Sequence, residues 1–186
     1  MERVRLVYKS LSEVIDSEGV GIITLTDEDE TRALNVVCDQ TIGRQLHLRT
    51  EHAALCQHQL PEVMFALLTD YVDARSLEII IYDVQDGQYL TTLCNTDNYS
   101  ERKVRLGDAI LLHLIGDIPI YIDKRLMMKL SMPYAEDMTR ISIPINTLNT
   151  EKLKEGLERA IEEENYRLAS NIKDELNRRN HLNETE

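Results

Sequence analysis

The side chains best suited to metal chemistry crowd one stretch around position 50. His47, His52, Cys56 and His58 carry imidazole and thiol groups, which zinc prefers as ligands. Their spacing fits no standard zinc pattern, so it does not predict a metal site. The sequence also lacks a glycine-rich phosphate loop, a nucleophile elbow and an HExxH pair. Residue types and spacing alone therefore indicate no familiar enzyme.

The cysteines and the apolar runs indicate the compartment. Cys38, Cys56 and Cys94 are far apart, odd in number and never paired as CxxC, so we expect reduced, buried thiols. The longest apolar run, 109–115, is interrupted by His113 and is far too short to cross a bilayer. The first residues show no signal-peptide pattern. We therefore expect a soluble cytoplasmic protein without membrane contact.

The charge of the chain limits its partners. Its 186 residues include 33 acidic and 21 basic ones, which gives a net charge of −12. Proteins that bind nucleic acid through its phosphates normally show a basic face. The charge therefore disfavours nucleic acid, although a local basic groove or a bound divalent metal would offset it. The hydrophobic content of 42% suffices for one core, mainly aliphatic because aromatic residues are scarce.

The first 143 residues predict an α+β domain. Two helices are expected to start after N-caps at Asp39 and Asp123, a third at Leu60-Pro61, and a fourth at Gly107-Asp108, stopped by Gly116. Alternating apolar residues and turn signals, including Asp86-Gly87, predict strands at 3–9, 20–26, 32–38, 76–83, 88–94, 101–106 and 118–122. The order of three strands followed by two helices occurs twice. Two interpretations are open: an internal duplication of a β3α2 unit, or an ordinary α+β domain without duplication.

The last residues predict a separate helical hairpin at 151–182, after a polar linker at 144–150 with Thr150 as the helix cap. Apolar residues recur at helical spacing, pause at 162–165, and resume. Two helices this short need each other's apolar faces to be stable. We expect the hairpin to dock onto a partner protein; permanent packing on the parent domain is the alternative. The candidate partner-binding residues are Leu153, Leu157, Ile161, Tyr166, Ala169, Ile172 and Leu176.

The hairpin resembles a known motif. The residues Leu157, Ala160, Glu163, Tyr166, Ala169 and Ile172, with the ending Lys173-Asp174-Glu175-Leu176, are similar to the UVR motif. That motif is shared by two subunits of bacterial nucleotide-excision repair and by some protease adaptors. The sequence departs from it at Arg167, where Glu commonly follows the Tyr, and at Lys173, where Arg is usual. The resemblance implies that the hairpin makes a protein–protein contact.

The main domain resembles the bifunctional nuclease (DNase/RNase) family. The segments 105–112 and 118–121 are similar to its landmark Arg-Pro-Ser-Asp-Ala-Ile, followed by an apolar helix and a Pro-Ile-Tyr/Phe-Val strand. The order of the preceding elements also agrees, and a UVR hairpin after such a domain is a known pairing. The resemblance covers residues 1–135. It implies a curled mixed β-sheet flanked by helices, a homodimer, and metal-dependent cleavage of DNA or RNA.

Several landmark residues of that family are replaced here. The landmark Pro and Ser are Leu106 and Gly107. A Glu of a second landmark is Ile42, and a His-Asp pair of a third landmark is Glu62-Val63. Two catalytic candidates remain. The resemblance implies that Asp108 would hold Mg²⁺ or Mn²⁺ and that Arg105 would clamp a phosphate.

Both surviving candidates also have a structural explanation. Asp108 would be an N-cap or first-turn acid of the helix that it precedes, and Arg105 would pair with it. We therefore expect a divergent family member that acts mainly as a protein-interaction and regulatory module through its hairpin. The alternative is an active metal-dependent nuclease, and only that alternative calls for a divalent cation.

Overall fold

The structure, a computed structural model, describes residues 2–13, 20–135, 145 and 148–183. Within these ranges the chain forms eight strands, six α-helices and two short 3₁₀ turns. The strands are β1 (Arg3–Glu13), β2 (Val20–Asp27), β3 (Arg32–Asp39), β4 (Leu77–Gln85), β5 (Gln88–Asn95), β6 (Ser100–Arg105), β7 (Ile120–Asp123) and β8 (Met132–Pro133). The helices are α1 (Gln40–Glu51), α2 (Leu60–Thr69), α3 (Leu106–Gly116), α4 (Lys124–Leu130), α5 (Thr150–Glu162) and α6 (Tyr166–Asn183).

All eight strands belong to one open mixed sheet, in the order β6-β5-β4-β7-β1-β2-β3-β8. The segments β1–β3 and β4–β6 are each antiparallel meanders. The short strand β7 lies between them, parallel to β4 and antiparallel to β1. The predicted α+β class with a mixed sheet is therefore confirmed. The order of three strands followed by helices occurs twice, and β7 joins the two halves.

Most helix starts follow the predicted caps. The carboxylate of Asp39 accepts the N–H of Ile42 at the start of α1, and Asp123 accepts two backbone N–H groups at the start of α4. Two predicted details were wrong. The side chain of Asn149, not Thr150, caps α5 by accepting the Lys152 N–H at 2.8 Å. The strand predicted from residue 118 begins at Ile120, because Pro119 has no N–H to donate to a ladder.

The core lies between the sheet and helices α1, α3 and α4. Its fully buried members come from the central strands and from the inner faces of these helices. Burying apolar side chains away from water is the main stabilising contribution to such a domain. The largest buried side chains include Leu25, Leu34, Leu46, Ile79, Ile81, Ile110, Ile120, Ile122 and Met127.

The last two helices, α5 and α6, pack against each other. Between them, the N–H of Asn165 donates to the carbonyl of Ala160, and the N–H of Glu164 donates to that of Ile161. This is the Schellman arrangement that ends many helices, here with Glu164 at φ 55° where glycine is usual. The predicted pause at 162–165 is thus the interhelical turn. Of the expected linker at 144–150, positions 144, 146 and 147 lie outside the described residues, and Thr150 is already the first residue of α5. Among the described helices, none is long and apolar enough to span a membrane.

Candidate functional site

Helices α1 and α3 begin next to each other, and this brings together several residues named from the sequence. The side chain of Ile42, in the first turn of α1, lies against the backbone of Gly107 in the first turn of α3. A Cβ on Gly107 would lie 3.1 Å from Ile42 Cγ2. Arg105 directly precedes α3, and Asp108 lies in its first turn. The two helix starts therefore define one candidate site.

At this site Arg105 and Asp108 bind each other. Arg105 Nε lies 2.7 Å from Asp108 Oδ2, and Arg105 Nη2 lies 3.2 Å from Oδ1. The hydrogen bonds to Asp108 and its charge raise the pKa of the Arg105 guanidinium, and the charge of Asp39 adds a smaller increase. The Arg105 side chain is 76% exposed. The structure thus places Asp108 as a first-turn acid with Arg105 as its partner, one of the two roles expected from the sequence.

The replaced landmark residues Ile42 and Gly107 fit each other. Ile42 is buried in the main core cluster. Because Gly107 has no side chain, the branched side chain of Ile42 occupies the space beside it. A larger residue at 107 would force Ile42 to move by a few tenths of an ångström. An apolar contact therefore stands where the resemblance implies a carboxylate and a hydroxyl.

The third replaced landmark lies elsewhere in the fold. Glu62 in α2 pairs with Arg49 near the end of α1, with 2.7 Å between Arg49 Nε and Glu62 Oε1. Arg49 lies ten residues beyond Asp39, roughly 15 Å along the helix axis. The Arg49 side chain is only 4% exposed, so this is a nearly buried ion pair joining two helices. Glu62 holds α2 in place and does not contribute to the site at the helix starts.

The carboxylates at the helix starts do not fit the divalent cation implied by the family resemblance. Both oxygens of Asp108 accept from Arg105, and Asp39 Oδ1 accepts the Ile42 N–H. Mg²⁺ and Mn²⁺ need several oxygen ligands that converge on one point. Within the part of the chain that the structure describes, His, Cys, Asp and Glu form no group of three able to hold a metal. This includes the histidines and Cys56 around position 50.

Other polar residues singled out from the sequence have structural roles. His113 Nδ1 lies 2.9 Å from the carbonyl oxygen of Ile118, which ties the end of α3 to the following segment. Cys38, Cys56 and Cys94 are free and buried. Burial, with a smaller effect from Asp39, raises the pKa of the Cys38 thiol to about 11. At neutral pH Cys38 is therefore a buried apolar residue and not a nucleophile.

The helical pair is a second candidate site, and its predicted partner-binding residues divide into two groups. Leu153, Ala169 and Ile172 are buried where α5 and α6 pack, and Leu157 and Leu176 are partly buried. Ile161 and Tyr166 are exposed, at 53% and 69%, and Leu168 beside them was not predicted. The buried group stabilises the pair, so among the seven predicted residues Ile161 and Tyr166 are the most accessible to another molecule.

The sequence did not predict how the helical pair is attached to the sheet. Asp86 lies in the two-residue turn between β4 and β5, and its Oδ1 accepts hydrogen bonds from the hydroxyl and N–H of Thr150. Arg179 of α6 forms an ion pair with the same oxygen at 2.9 Å. A Cβ on Gly87 would collide with the backbone of Leu148. The Asp-Gly pair predicted the turn, but no local pattern indicates partners so distant in the sequence.

Hydrogen bonding also affects the acidity of Asp86. The hydrogen bond from the Thr150 hydroxyl, with the charge of Arg179, lowers the pKa of the Asp86 carboxyl below its ordinary value. The ionised carboxylate is the form that accepts these bonds. One carboxylate on the sheet therefore holds the beginning of α5 and the later part of α6.

Comparison with known proteins identifies the family. The model of the bifunctional nuclease domain matches residues 23–135, from β2 to the end of the sheet and including both helix starts. The chain belongs to the bifunctional nuclease domain family, as its sequence motifs indicated. No curated protein matches the chain.

Proposed function

We propose that this chain is a divergent member of its family that acts mainly through protein contact, as a regulatory or adaptor module. In this proposal residues 1–143 are the family domain, 144–150 a linker, and 151–182 a UVR-like hairpin that binds the partner. The observation that carries the proposal is the contact between Ile42 and Gly107, which occupies the position of the polar landmark residues.

The chemistry of the helix starts supports this proposal. Phosphodiester hydrolysis needs an activated water and compensation of the charge on the phosphorus. Of the landmark groups, Arg105 and Asp108 remain, and they neutralise each other in an exposed pair. Exposed pairs of this kind contribute little to stability and are freely solvated. An arginine bound to its own neighbour is a weaker phosphate ligand than a free one.

The surface at the interhelical turn indicates the chemistry of the partner. Ile161, Tyr166 and Leu168 are exposed apolar side chains within a short stretch of the helical pair. The intervening residues 162–164 are all glutamates and all exposed. A run of three exposed glutamates between apolar anchors favours a basic group on the partner opposite residues 162–164. We expect a basic partner surface with an apolar recess that accepts Tyr166.

The proposal is tested by site-specific crosslinking of the full chain in its native cells. A photoreactive amino acid at Tyr166 should give discrete protein adducts, and the same amino acid at Glu155, which is exposed on α5 away from the turn, should not. Adding Ile161→Ser should remove the adducts without changing the helical content. Equal adducts from both positions, or adducts insensitive to Ile161→Ser, would overturn the proposal.

The second candidate function is metal-dependent cleavage of DNA or RNA, favoured by the family match and by the survival of Arg105 and Asp108. Cleavage assays with Mg²⁺ or Mn²⁺ should compare the wild type with Asp108→Asn, using Asp97→Asn on an exposed loop as the control. Cleavage abolished only by Asp108→Asn would establish the nuclease. If the purified wild type shows no metal-dependent cleavage, that result agrees with the adaptor function.

A cytoplasmic location is part of the proposal, because the free buried thiols suit a reducing compartment.

A further inference from the structure

Strand β6 stands at one end of the sheet, and among the described strands it pairs only with β5. Five of its six residues are exposed, the exception being Val104. The strand at the other end, β8, is two residues long, and one of them is Pro133. Very short strands and proline are two devices by which natural sheets keep an edge from accepting a further strand. Strand β6 has neither device, so its edge is open to pairing.

The register of the sheet determines which backbone groups of β6 face this open side. The N–H of Ile79 in β4 donates to the carbonyl of Pro119 at 2.9 Å, on the side away from β5. Because successive residues of a strand point their backbone groups to opposite sides, this bond sets the direction of the residues paired across β4, β5 and β6. Arg102 and Val104 point toward β5. The outward-facing residues, here called the β6 edge, are Glu101, Lys103 and Arg105.

Lys103 presents both of its backbone groups at the β6 edge. No hydrogen bond from another described residue reaches its N–H or its carbonyl. The carbonyl of Glu101, in contrast, already accepts from Arg102 Nη1 at 2.7 Å. An extended peptide lying along β6 would pair with the groups of Lys103 by adding a strand to the sheet, the binding mode called β-augmentation.

The charge of β6 indicates the chemistry of that peptide. Residues 102–105 include three basic residues, and no other four consecutive positions in this chain of net charge −12 do so. Arg105 is bound to Asp108, whereas Lys103 forms no ion pair with a described residue. Opposite charges that face each other on paired strands stabilise the pair, and like charges destabilise it. An acidic strand therefore fits, and a second copy of β6 does not.

The alternation of side chains along β6 gives the pattern of the peptide. Val104 packs against the main core cluster, so Lys103 and Arg105 project from the opposite face of the sheet. In an antiparallel pair, each residue has one residue of the other strand directly opposite, on the same face. Acidic residues suit the positions opposite Lys103 and Arg105, and an apolar residue suits the position opposite Val104.

We propose that the β6 edge is a docking site for an extended peptide with alternating acidic and apolar residues, which adds a strand antiparallel to β6. The same basic side chains would attract a nucleic-acid strand, but its backbone has no alternating N–H and C=O groups to pair with Lys103. The proposal is independent of the proposed function of the helical pair, since it uses a different surface.

Binding of a synthetic peptide to the full chain tests the proposal, measured by fluorescence anisotropy. The probe is fluorescein-labelled Val-Glu-Val-Glu-Val with a threonine at each end. It should bind the wild type, and Lys103→Glu should weaken binding by about tenfold, because it opposes like charges. Lys129→Glu is the matched control: Lys129 is exposed on α4, the change in net charge is the same, and binding should be unchanged.

Two further probes separate strand pairing from charge attraction and from lost folding. N-methylation of both peptide glutamates should abolish binding, because their N–H groups face β6 in an antiparallel pair, whereas N-methylation of the central valine should be tolerated. The peptide Val-Glu-Val-Lys-Val should bind Lys103→Glu better than the first peptide does, because its lysine faces the introduced glutamate. Bound peptide should also slow amide hydrogen exchange at Lys103.

Several results would overturn the proposal. They are no binding of the first peptide by the wild type, equal effects of Lys103→Glu and Lys129→Glu, and equal binding of the two N-methylated peptides. Failure of the lysine peptide to recover binding to Lys103→Glu would do the same. A short fluorescent oligothymidylate that binds with the same dependence on Lys103 would show that the β6 edge takes nucleic acid instead of a peptide.

Discussion

The ring of Phe65 lies directly on Gly116, so closely that the last residue of α3 has no space for a Cβ. This contact seats α2 on the domain, since Phe65 is the partly buried aromatic residue of that helix. The orientation of α2 on the domain therefore depends on a glycine in a different helix.

Gly116→Ala should destabilise the protein by about 1–3 kcal/mol, because the new methyl group must displace the ring. Urea unfolding measures this effect. Phe65→Leu should recover part of the loss in the double variant, because the two residues are in contact. Gly156→Ala in α5 is the control: its Cβ would lie 3.6 Å from Ile172, an ordinary contact, so helix propensity should stabilise the variant by about 0.5–1 kcal/mol. Equal effects at both glycines would contradict this account.

Glu62→Ala should destabilise the protein by about 3 kcal/mol, because it leaves the nearly buried guanidinium of Arg49 without its carboxylate. The double variant Arg49→Met with Glu62→Leu should recover most of the loss, since two apolar groups need no pairing. Thermal and urea unfolding measure both variants. Glu28→Ala, which removes the exposed partner of Arg5, should change stability by less than about 1 kcal/mol.

Acid should loosen the attachment of the helical pair. The pKa of Asp86 is lowered in the folded state, so its contribution is present above the ordinary value of 3.8 and is lost as the pH falls through the lower folded value. Hydrogen-exchange protection at the start of α5, normalised for intrinsic rates, should stay constant from pH 6 down to about pH 4 and fall as the pH is lowered further below 3.8. Asp86→Asn should show reduced protection already at pH 6. Asp83→Asn should behave as the wild type, since Asp83 accepts only from the adjacent Val84 N–H among its described hydrogen bonds; a matching loss there would refute the role of Asp86.

Glu164→Gly should stabilise the helical pair. Glu164 has φ 55°, a conformation that costs a residue with a side chain roughly 1 kcal/mol and costs glycine almost nothing. Part of this gain is offset by the greater freedom of glycine in the unfolded chain, so we expect about 0.5 kcal/mol. Thermal unfolding followed by circular dichroism measures the change. Glu163→Gly, at φ −82°, should be neutral or destabilising; stabilisation by both substitutions would exclude the conformational explanation.

The sequence predicted what local physics determines. The caps at Asp39 and Asp123, the Asp-Gly turn and the break between α5 and α6 depend on residues close together in the chain, and all were found as predicted. Asn149 replaced Thr150 as the cap because both are good caps one residue apart. The features that were missed join distant segments. Asp86 with Arg179 and Arg49 with Glu62 have ordinary residue types, and only the folded chain brings them together.

At the candidate site, the sequence predicted that polar landmark residues were missing, and the structure adds what took their place. The fit between Ile42 and Gly107 could not be predicted because neither residue type is unusual where it stands. The apolar run of α2 did carry a signal: eight of its ten residues are apolar, on more than one side. A helix of this composition is expected to pack against other groups on both sides, but the sequence does not indicate whether those groups belong to the same chain or to another molecule.

The position of β7 has a consequence for how the chain is made. β7 is four residues long, yet among the described strands it alone connects the two meanders, and it pairs Asp123 with Arg3 near the beginning of the chain. During synthesis each meander forms from neighbouring segments, but both keep an unpaired central edge until residue 123 has emerged. Closing contacts so far apart in sequence is slow. Before β7 emerges, the nascent chain therefore has two more open sheet edges than the folded domain, and it is then that it most needs protection from aggregation.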